Sequence, residues 1–327
     1  MLVQFVKQSL NHLTEEARVA AGDAVVIPLP GEPRSAVPMC VLDKHLYVGG
    51  GWAGHWVYDF YRINEQTLDV EQLADHPVVC DYCAVMTTHN GKIYHITRVS
   101  AAPYDLVPYE YDPTTDTWTE KTHQAVNGGG WEGVAVNGKV YLGCWSHSES
   151  LYVYDIDTDT WTALTGDPYR SIVGYWNGKL FGSVRARYND TTGKYYKTMR
   201  VYDIATDIWS DFGTDFPVYE VGVRPYIRSY KFFAVDGVLY GIGGYSGHLP
   251  DRTLLNFYAC FWKYSSGENE WYPILLHPRI ARLVGGFEPT LAISNTYLYV
   301  RASTLHTFKQ NRTAPIVRIP LALLRRW

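Results

Sequence analysis

Three arginines and three aromatic residues are the side chains of this sequence best suited to recognising a ligand. They are Arg98, Arg185 and Arg301, together with Trp52, Trp145 and Tyr245. A guanidinium presents a planar fork of donors that fits a carboxylate or phosphate, and an aromatic ring offers a stacking surface for a sugar or a peptide side chain. If these side chains converge, they form a site for an anionic ligand. The alternative is that Arg98 and Arg185 pair with nearby acidic residues and only fill a water-filled pore.

Glu132 and Glu288 are the candidates for acid–base chemistry. Glu132 lies in the segment Gly128-Gly129-Gly130-Trp131-Glu132-Gly133, where three glycines let the backbone approach a ligand closely. A plain flexible connection explains these glycines equally well. Either glutamate, with an arginine to hold a carboxylate, would be enough for an isomerase or lyase reaction on a sugar acid.

The sequence contains no complete motif for a metal, redox, nucleophile or nucleotide-binding site. Cys80 and Cys83 have the spacing of half a zinc site or of a redox pair, but no second pair of ligands follows at a suitable distance. No metal-binding helix motif, nucleophile elbow, phosphate loop or dinucleotide fingerprint occurs either. We therefore expect no metal and no cofactor, and whether the protein is an enzyme stays open.

Composition narrows the classes of partner. The chain has 327 residues, a formal net charge of −4 and a pI near 6.3, so it lacks the basic excess that drives binding to nucleic acid or anionic membranes. The N-terminus shows no secretion signal, and no apolar run is long enough to span a bilayer. Five scattered cysteines favour a reducing compartment, and we expect a cytoplasmic protein.

The residues named above are positioned by a repeat. Six times, a turn is followed by an apolar strand that ends in an aromatic residue, as in Asn90-Gly91-Lys92-Ile93-Tyr94. The aromatic anchors, 40 to 59 residues apart, are Tyr47, Tyr94, Tyr141, Phe181, Tyr240 and Tyr299. Asn-Gly and Asp-Gly favour type I′ turns because both central residues need positive φ. Each copy therefore predicts a β-hairpin.

A second repeat lies downstream of the first. A Tyr is followed by Asp, a polar turn and then Trp seven residues after the Tyr, as in Tyr154 to Trp161. The other copies are Tyr111 to Trp118, Tyr202 to Trp209 and the looser Tyr264 to Trp271. The Asp-rich middle predicts a second hairpin turn, so each repeat supplies four strands. We expect the tryptophans to be buried between neighbouring repeats.

The combined pattern resembles the kelch family of β-propellers. A first strand, an Asn-Gly turn, a second strand that often ends in Gly-Gly, and then Tyr-Asp and Trp cover nearly the whole chain. Gly49-Gly50-Gly51 and Gly243-Gly244 match the family's diglycine, whereas Arg98, Trp145 and Arg185 stand where its second glycine belongs. The resemblance implies an all-β, six-bladed propeller.

The chain termini predict how the ring closes. The last repeat lacks a fourth strand, and Val25 to Pro30 reads as the strand that completes it. We expect an arm with a short helix at 1–23 and a propeller at 24–327. Within it, the closing strand and the six blades span 24–35, 36–77, 78–127, 128–167, 168–217, 218–278 and 279–327.

In kelch-like blades the connections from the second to the third strand, and from the fourth to the next first strand, open on one face. Register places further candidates there, namely Asp81, Tyr82, Trp131, Arg170, Arg224 and Arg228. Two longer connections, 186–199 and 246–257, either carry recognition or are inert hairpins. The resemblance implies a binding scaffold for a protein, peptide or anionic ligand. The alternative is a small-molecule enzyme acting on a carboxylated sugar, because such propellers include galactose oxidase and sialic acid mutarotases.

Overall fold

The hairpin turns adopt the backbone conformation that their sequences require. In a computed structural model of the chain, Asn90 and Gly91 have φ of +48° and +74°, and Asn137 and Gly138 have φ of +50° and +74°. Glycine at the second turn position accepts this left-handed region without steric cost. The first turn is different, because Asp43 and Lys44 reach φ of +47° and +61° without a glycine.

The structure describes most of the chain, in segments. They are residues 24–32, 34, 37–78, 85–99, 104–126, 130–144, 151–167, 171–182, 185–189, 194–214, 230–243, 260–274, 287–303 and 315–325. The arm with a short helix expected at 1–23 lies outside the described residues, as does the long connection expected at 246–257.

Six antiparallel sheets follow one another along the chain and form the predicted six-bladed propeller. Blade 1 comprises β2 (Met39–Leu42), β3 (His45–Gly49), β4 (Phe60–Asn64) and β5 (Val70–Leu73). Blade 2 comprises β6 (Val85–His89), β7 (Lys92–Val99), β8 (Asp105–Asp112), β9 (Thr117–Glu120) and the short β10 (Gln124–Ala125). Blade 3 comprises β11 (Trp131–Val136), β12 (Lys139–Cys144), β13 (Leu151–Asp155) and β14 (Thr160–Leu164).

The second half of the ring repeats this order. Blade 4 comprises β15 (Ile172–Trp176), β16 (Lys179–Gly182), β19 (Arg200–Asp203) and β20 (Ile208–Asp211), with a separate hairpin of β17 (Arg185–Asn189) and β18 (Lys194–Thr198) inserted. Blade 5 comprises β21 (Tyr230–Val235), β22 (Val238–Gly243), β23 (Cys260–Ser265) and β24 (Glu270–Ile274). Blade 6 comprises β25 (Phe287–Ile293), β26 (Tyr297–Ser303), β27 (Ile316–Pro320) and β1 (Val25–Ile27), and α1 (Leu321–Arg325) follows β27.

The ring is closed by the first strand of the chain, as predicted. β1 pairs antiparallel with β27, with Val26 opposite Val317 and Ile27 opposite Ile316. Blade 6 therefore combines three strands from the end of the chain with one from its beginning. This pairing covers an edge of β27 that would otherwise present unpaired backbone groups.

The hydrophobic core is divided among the six contacts between neighbouring blades. Blades 5 and 6, for example, share a cluster that contains Phe261, Val300 and Leu324 of α1. Blades 6 and 1 share another, in which Ile27 and Leu29 of the N-terminal segment pack against Val48 and Tyr299. The N-terminal segment thus contributes side chains as well as a strand to the closed ring.

A recurring polar contact, which we call the inter-blade clamp, joins successive blades. In blade 3, Asp159 accepts hydrogen bonds from the Tyr154 hydroxyl (2.7 Å) and from the Thr122 amide of blade 2 (3.0 Å). The Trp161 indole donates back to the Thr122 carbonyl at 2.7 Å. Blade 2 repeats the arrangement towards Ala74, and blade 4 repeats it towards Thr165.

The prediction that all four tryptophans of the repeat are buried is wrong for three of them. Trp271 is 8% exposed, but Trp118, Trp161 and Trp209 are only half-buried. These three indoles must reach a main-chain carbonyl just beyond the outer strand of the preceding blade, so they lie at the rim of the contact. They do occupy equivalent positions between blades, as expected.

Candidate functional site

The innermost strands of the six blades surround a central channel of about 440 Å³. Each of these strands pairs on one side only, so its other edge directs unpaired backbone N–H and C=O groups towards the channel. The apolar part of the lining comes from all around the ring, for example from Val85, Val134, Phe232 and Leu291. The channel therefore offers backbone hydrogen-bonding groups among small apolar surfaces.

One ion pair interrupts this lining. Glu132 Oε1 of blade 3 lies 3.4 Å from Lys231 Nζ of blade 5, and both side chains are about one-fifth exposed. Between them, at the start of blade 4, the buried Ser171 hydroxyl donates to Glu132 Oε2 at 2.6 Å. Glu132 thus faces the channel beside a cation that the sequence analysis did not identify.

A signal for Lys231 does exist in the repeat. Glu132 stands five residues before the turn residue Asn137, and Lys231 stands five residues before Asp236. The same offset gives Pro38, Val85 and Ile172 in blades 1, 2 and 4. Aligning the inner strands on their turns therefore identifies the two charged positions.

Trp52 lies in the connection between β3 and β4, on the face where recognition was expected. Its ring meets Trp56 edge to face, with centroids 4.7 Å apart, and both rings are half-buried. The connection is tied at its base by the Gly50 amide, which donates to the Asp59 carbonyl at 2.9 Å. A Cβ on Gly49 would lie only 2.4 Å from that carbonyl oxygen, which explains the first glycine of the motif.

Arg98 lies near the end of β7 on the same face. Its guanidinium carbon lies 4.6 Å from the ring centroid of Tyr104, which is 37% exposed. Stacking on the tyrosine ring holds the orientation of the guanidinium. The pair is therefore a partly exposed cation against an aromatic ring.

Arg301 lies in β26 and is only 1% exposed. Its Nη2 donates to the main-chain carbonyl of Arg34, and the Arg34 guanidinium in turn pairs with Asp59 of blade 1. Asp59 also accepts a hydrogen bond from the Tyr61 hydroxyl at 3.1 Å. We call Arg34, Asp59, Tyr61 and Arg301 the seam cluster, because they join blade 6 to blade 1.

Two histidines form a buried pair between blades 1 and 2. His76 Nδ1 lies 2.8 Å from the Val78 carbonyl and therefore carries the proton, which leaves His76 Nε2 to accept from His95 Nδ1 at 2.5 Å. Burial lowers the pKa of His76 to about 4 and that of His95 well below its usual value, so both rings are neutral at pH 7. His76 also packs against Trp118 of the clamp.

The structure describes only some of the remaining predicted site residues. Arg185 begins β17 and Glu288 lies in β25, but their side chains are outside the description. Trp131 is buried at 1% exposure. The positions outside the described residues are Asp81, Tyr82, Trp145, Arg170, Arg224, Arg228 and Tyr245, together with Cys80 and Cys83.

Metal and membrane signals are absent from the described part of the chain. There, no group of three or more His, Cys, Asp or Glu side chains is placed to hold a metal ion. None of the described helices is both long and apolar enough to cross a bilayer. Cys40 and Cys144 are buried free thiols, and burial raises the pKa of Cys40.

Comparison with known proteins identifies the fold. No protein-family model matches the sequence, and no curated protein sequence matches it. The solved structure of a protein named YjhT is similar over 90% of this chain and 95% of that chain, with a TM-score of 0.60 and 13% sequence identity. At that identity the similarity extends to the architecture alone: the chain is a six-bladed β-propeller.

Proposed function

We propose that this protein is a kelch-type binding scaffold that docks an acidic protein or peptide segment on the face carrying the connections between second and third strands. We call this the loop face. The proposal depends most on the β17–β18 hairpin, which the chain inserts into that connection of blade 4 as a separate two-stranded sheet. Neither strand contains an acidic residue, and together they carry Arg185, Arg187, Lys194 and Lys197 in a chain whose net charge is −4.

The pairing of the hairpin groups these cations. Arg187 is opposite Tyr196, and Asn189 is opposite Lys194 in the backbone pairing, so the four cations stand close together along one short hairpin. A hairpin with four cations and no acidic residue in its strands complements a row of carboxylates and repels basic segments. Arg98 on Tyr104 and the Trp52–Trp56 pair add a cation and aromatic surface to the connections of blades 2 and 1.

Binding of a fluorescein-labelled peptide rich in Asp and Glu, followed by fluorescence anisotropy, tests the proposal. We expect binding that weakens steeply with added salt, and an affinity loss of about tenfold or more for Arg187→Glu combined with Lys194→Glu. Arg98→Lys should also weaken binding, because the charge remains while the planar fork is lost. Lys263→Glu, in β23 of blade 5, is the matched control and should bind normally.

Two results would reject the scaffold proposal. One is that an uncharged peptide of the same length binds as tightly as the acidic one. The other is that the charge-reversed hairpin binds like the wild type while the melting temperatures agree.

A second candidate function is a small-molecule enzyme acting on a carboxylated sugar at the channel. It is favoured by Glu132, whose carboxylate faces a cavity large enough for a monosaccharide and lies beside Lys231 and Ser171. Lys231 would hold the substrate carboxylate, and Glu132 would take the proton of the anomeric hydroxyl and return it to the ring oxygen as the bond from C1 to that oxygen breaks. NMR measurement of anomer exchange in sugar acids should show catalysis that disappears in Glu132→Gln and a raised KM in Lys231→Met, with unchanged circular dichroism. Absence of catalysis in the wild type across the sugar acids excludes this candidate.

A further inference from the structure

We propose that the seam cluster contains a buried anion-binding site, formed by the guanidinium groups of Arg34 and Arg301, that takes a small anion such as a halide or a carboxylate. The inference is independent of the proposed function, because Arg301 is enclosed between blades and is not part of the loop-face surface. It rests on the balance of charge, on unused hydrogen-bond donors and on a contrast with a second arginine in the same seam.

The seam cluster has more positive than negative charge. The side chains of Arg34 and Asp59 are 0% and 17% exposed, and Arg301 is 1% exposed. Asp59 bonds to the Arg34 guanidinium, and among the described side chains no carboxylate bonds to that of Arg301, so one carboxylate stands against two buried cations. A buried charge without a counter-charge is strongly unfavourable.

Loss of a proton does not resolve the imbalance. Burial and the neighbouring Arg34 lower the pKa of Arg301 to about 9, which still leaves the group charged at neutral pH. The positive charge among the described residues of the seam therefore persists at neutral pH, and an anion would neutralise it.

The two guanidiniums also retain donors. Arg301 uses Nη2 for the Arg34 carbonyl, and Arg34 uses Nη1 for Asp59 and Nη2 for the Pro30 carbonyl at 3.2 Å. The Nε atoms of both arginines are buried and have no hydrogen-bond partner in the part of the chain that the structure describes. Buried donors of this kind are usually satisfied by protein, water or an ion.

Arg318 provides the contrast within the same seam. It lies in β27, stacks on the Tyr297 ring with its guanidinium carbon 4.5 Å from the centroid, and donates to the main-chain carbonyl of Glu65. Arg318 is half-buried, whereas Arg301 is enclosed, and the Glu65 carboxylate accepts a hydrogen bond from the Ser294 hydroxyl. Although the Nε of Arg318 also lacks a partner among the described residues, its exposure and its stacked ring distinguish it from Arg301.

Thermal unfolding at constant ionic strength tests the proposal. The protein is dialysed exhaustively into sodium HEPES, whose bulky sulfonate is too large for an enclosed site, and sodium chloride, bromide, acetate or phosphate then replaces part of the buffer. We expect a saturable rise in the midpoint of roughly 2 °C at ten times the Kd of the anion that fits. A rise in midpoint with chloride or bromide but not with acetate identifies a halide site. A rise with acetate but not with the halides identifies a carboxylate site.

Three variants test whether the anion response depends on Arg301 and on the charge of the seam cluster. Arg301→Met should abolish the anion response, and Arg318→Met should keep it. Asp59→Asn adds one uncompensated positive charge, so it should enlarge the response. If Arg301→Met does not fold, Arg301→Lys replaces it and should retain a halide response while losing that to acetate, because the fork is gone.

Crystals grown with sodium bromide provide a direct measurement on the wild type. An anomalous bromide peak within hydrogen-bond distance of both Arg34 and Arg301 supports a halide site, and a carboxylate site is supported instead by acetate density there. The proposal is overturned if neither anion occupies the cluster, or if the wild type and Arg301→Met respond in parallel to every anion.

Discussion

The contacts between blades 1 to 4 and the seam between blades 6 and 1 join neighbouring sheets by different chemistry. The contacts of blade 1 with 2, blade 2 with 3 and blade 3 with 4 all contain the inter-blade clamp. In it, an aspartate such as Asp159 and a half-buried tryptophan such as Trp161 bond to one backbone position of the preceding blade. Blade 1 has Leu68 where the clamp has its tryptophan, and its Tyr61 hydroxyl donates to Asp59 instead. At the seam, buried charged side chains take over the role of the clamp.

The difference follows from what each contact must join. A clamp links segments about 40 residues apart, for example Asp116 to Ala74, and its short side chains need only correct local register. The seam links residues as far apart as Arg301 and Arg34, which belong to opposite parts of the chain. Long arginine side chains reach across this contact, but they introduce charges that must be balanced in the interior.

The largest expected effect comes from removing the strand that closes the seam. Deletion of residues 1–31 leaves β27 with an open edge and removes Ile27 and Leu29 from the core between blades 6 and 1. We expect loss of cooperative thermal unfolding, or aggregation, measured by calorimetry and light scattering. Deletion of residues 1–23 keeps β1 and is the matched control; a 1–31 deletion that melts like it would disprove the role of closure.

A pair of equivalent substitutions compares the seam with the clamp directly. Asp59→Asn should destabilise the protein by about 3–5 kcal/mol in denaturant titrations, because it leaves Arg34 buried without its carboxylate. Asp159→Asn should change the stability by less than about 1 kcal/mol, since an amide oxygen can still accept both hydrogen bonds. Blade 5 supports this expectation, because Asn269 there accepts from the Tyr264 hydroxyl at 2.7 Å. Equal losses for the two variants would show that buried charge is not what distinguishes the seam.

A smaller loss of stability, which occurs only at acid pH, is expected at the contact between blades 1 and 2. The folded state holds His76 neutral, with a pKa of about 4 instead of 6.5, so the unfolded chain takes up a proton first as the pH falls. Stability from this group is complete above pH 6.5 and is lost between pH 6.5 and 4, by up to about 3 kcal/mol. Melting midpoints of His76→Phe should depend less on pH in this window than those of the wild type. If the melting midpoints of His76→Phe follow the wild-type curve across this window, the buried pair is not the acid-sensitive element.

The repeated part of the fold could be predicted from local sequence. Asn-Gly turns and the Tyr-to-Trp spacing each depend on a few adjacent residues, and they gave the blades and the strand that closes the ring. The rim position of Trp118, Trp161 and Trp209 could not be predicted, because it depends on the backbone of the preceding blade. Hydrophobicity alone predicts complete burial for an indole.

The candidate sites were predicted less completely. Glu132 was placed at the channel from its blade register, but its contact with Lys231 joins blades 3 and 5 across blade 4. Arg301 was predicted to contact a ligand from its position near the diglycine, whereas the side chain turns between blades towards Arg34. The seam contacts occur once, so no repeat reveals them.

The pairing of β1 with β27 also has a consequence for how the protein is made. Val26 is among the first described residues to leave the ribosome and its partner Val317 is among the last. At about 5–20 residues per second, the first strand waits tens of seconds for its partner. Joining segments nearly 300 residues apart also costs roughly 5 kcal/mol of chain entropy unless the intervening blades have already folded and brought the ends together. Synthesis therefore favours an order in which the blades form one after another and the oldest strand of the chain docks last.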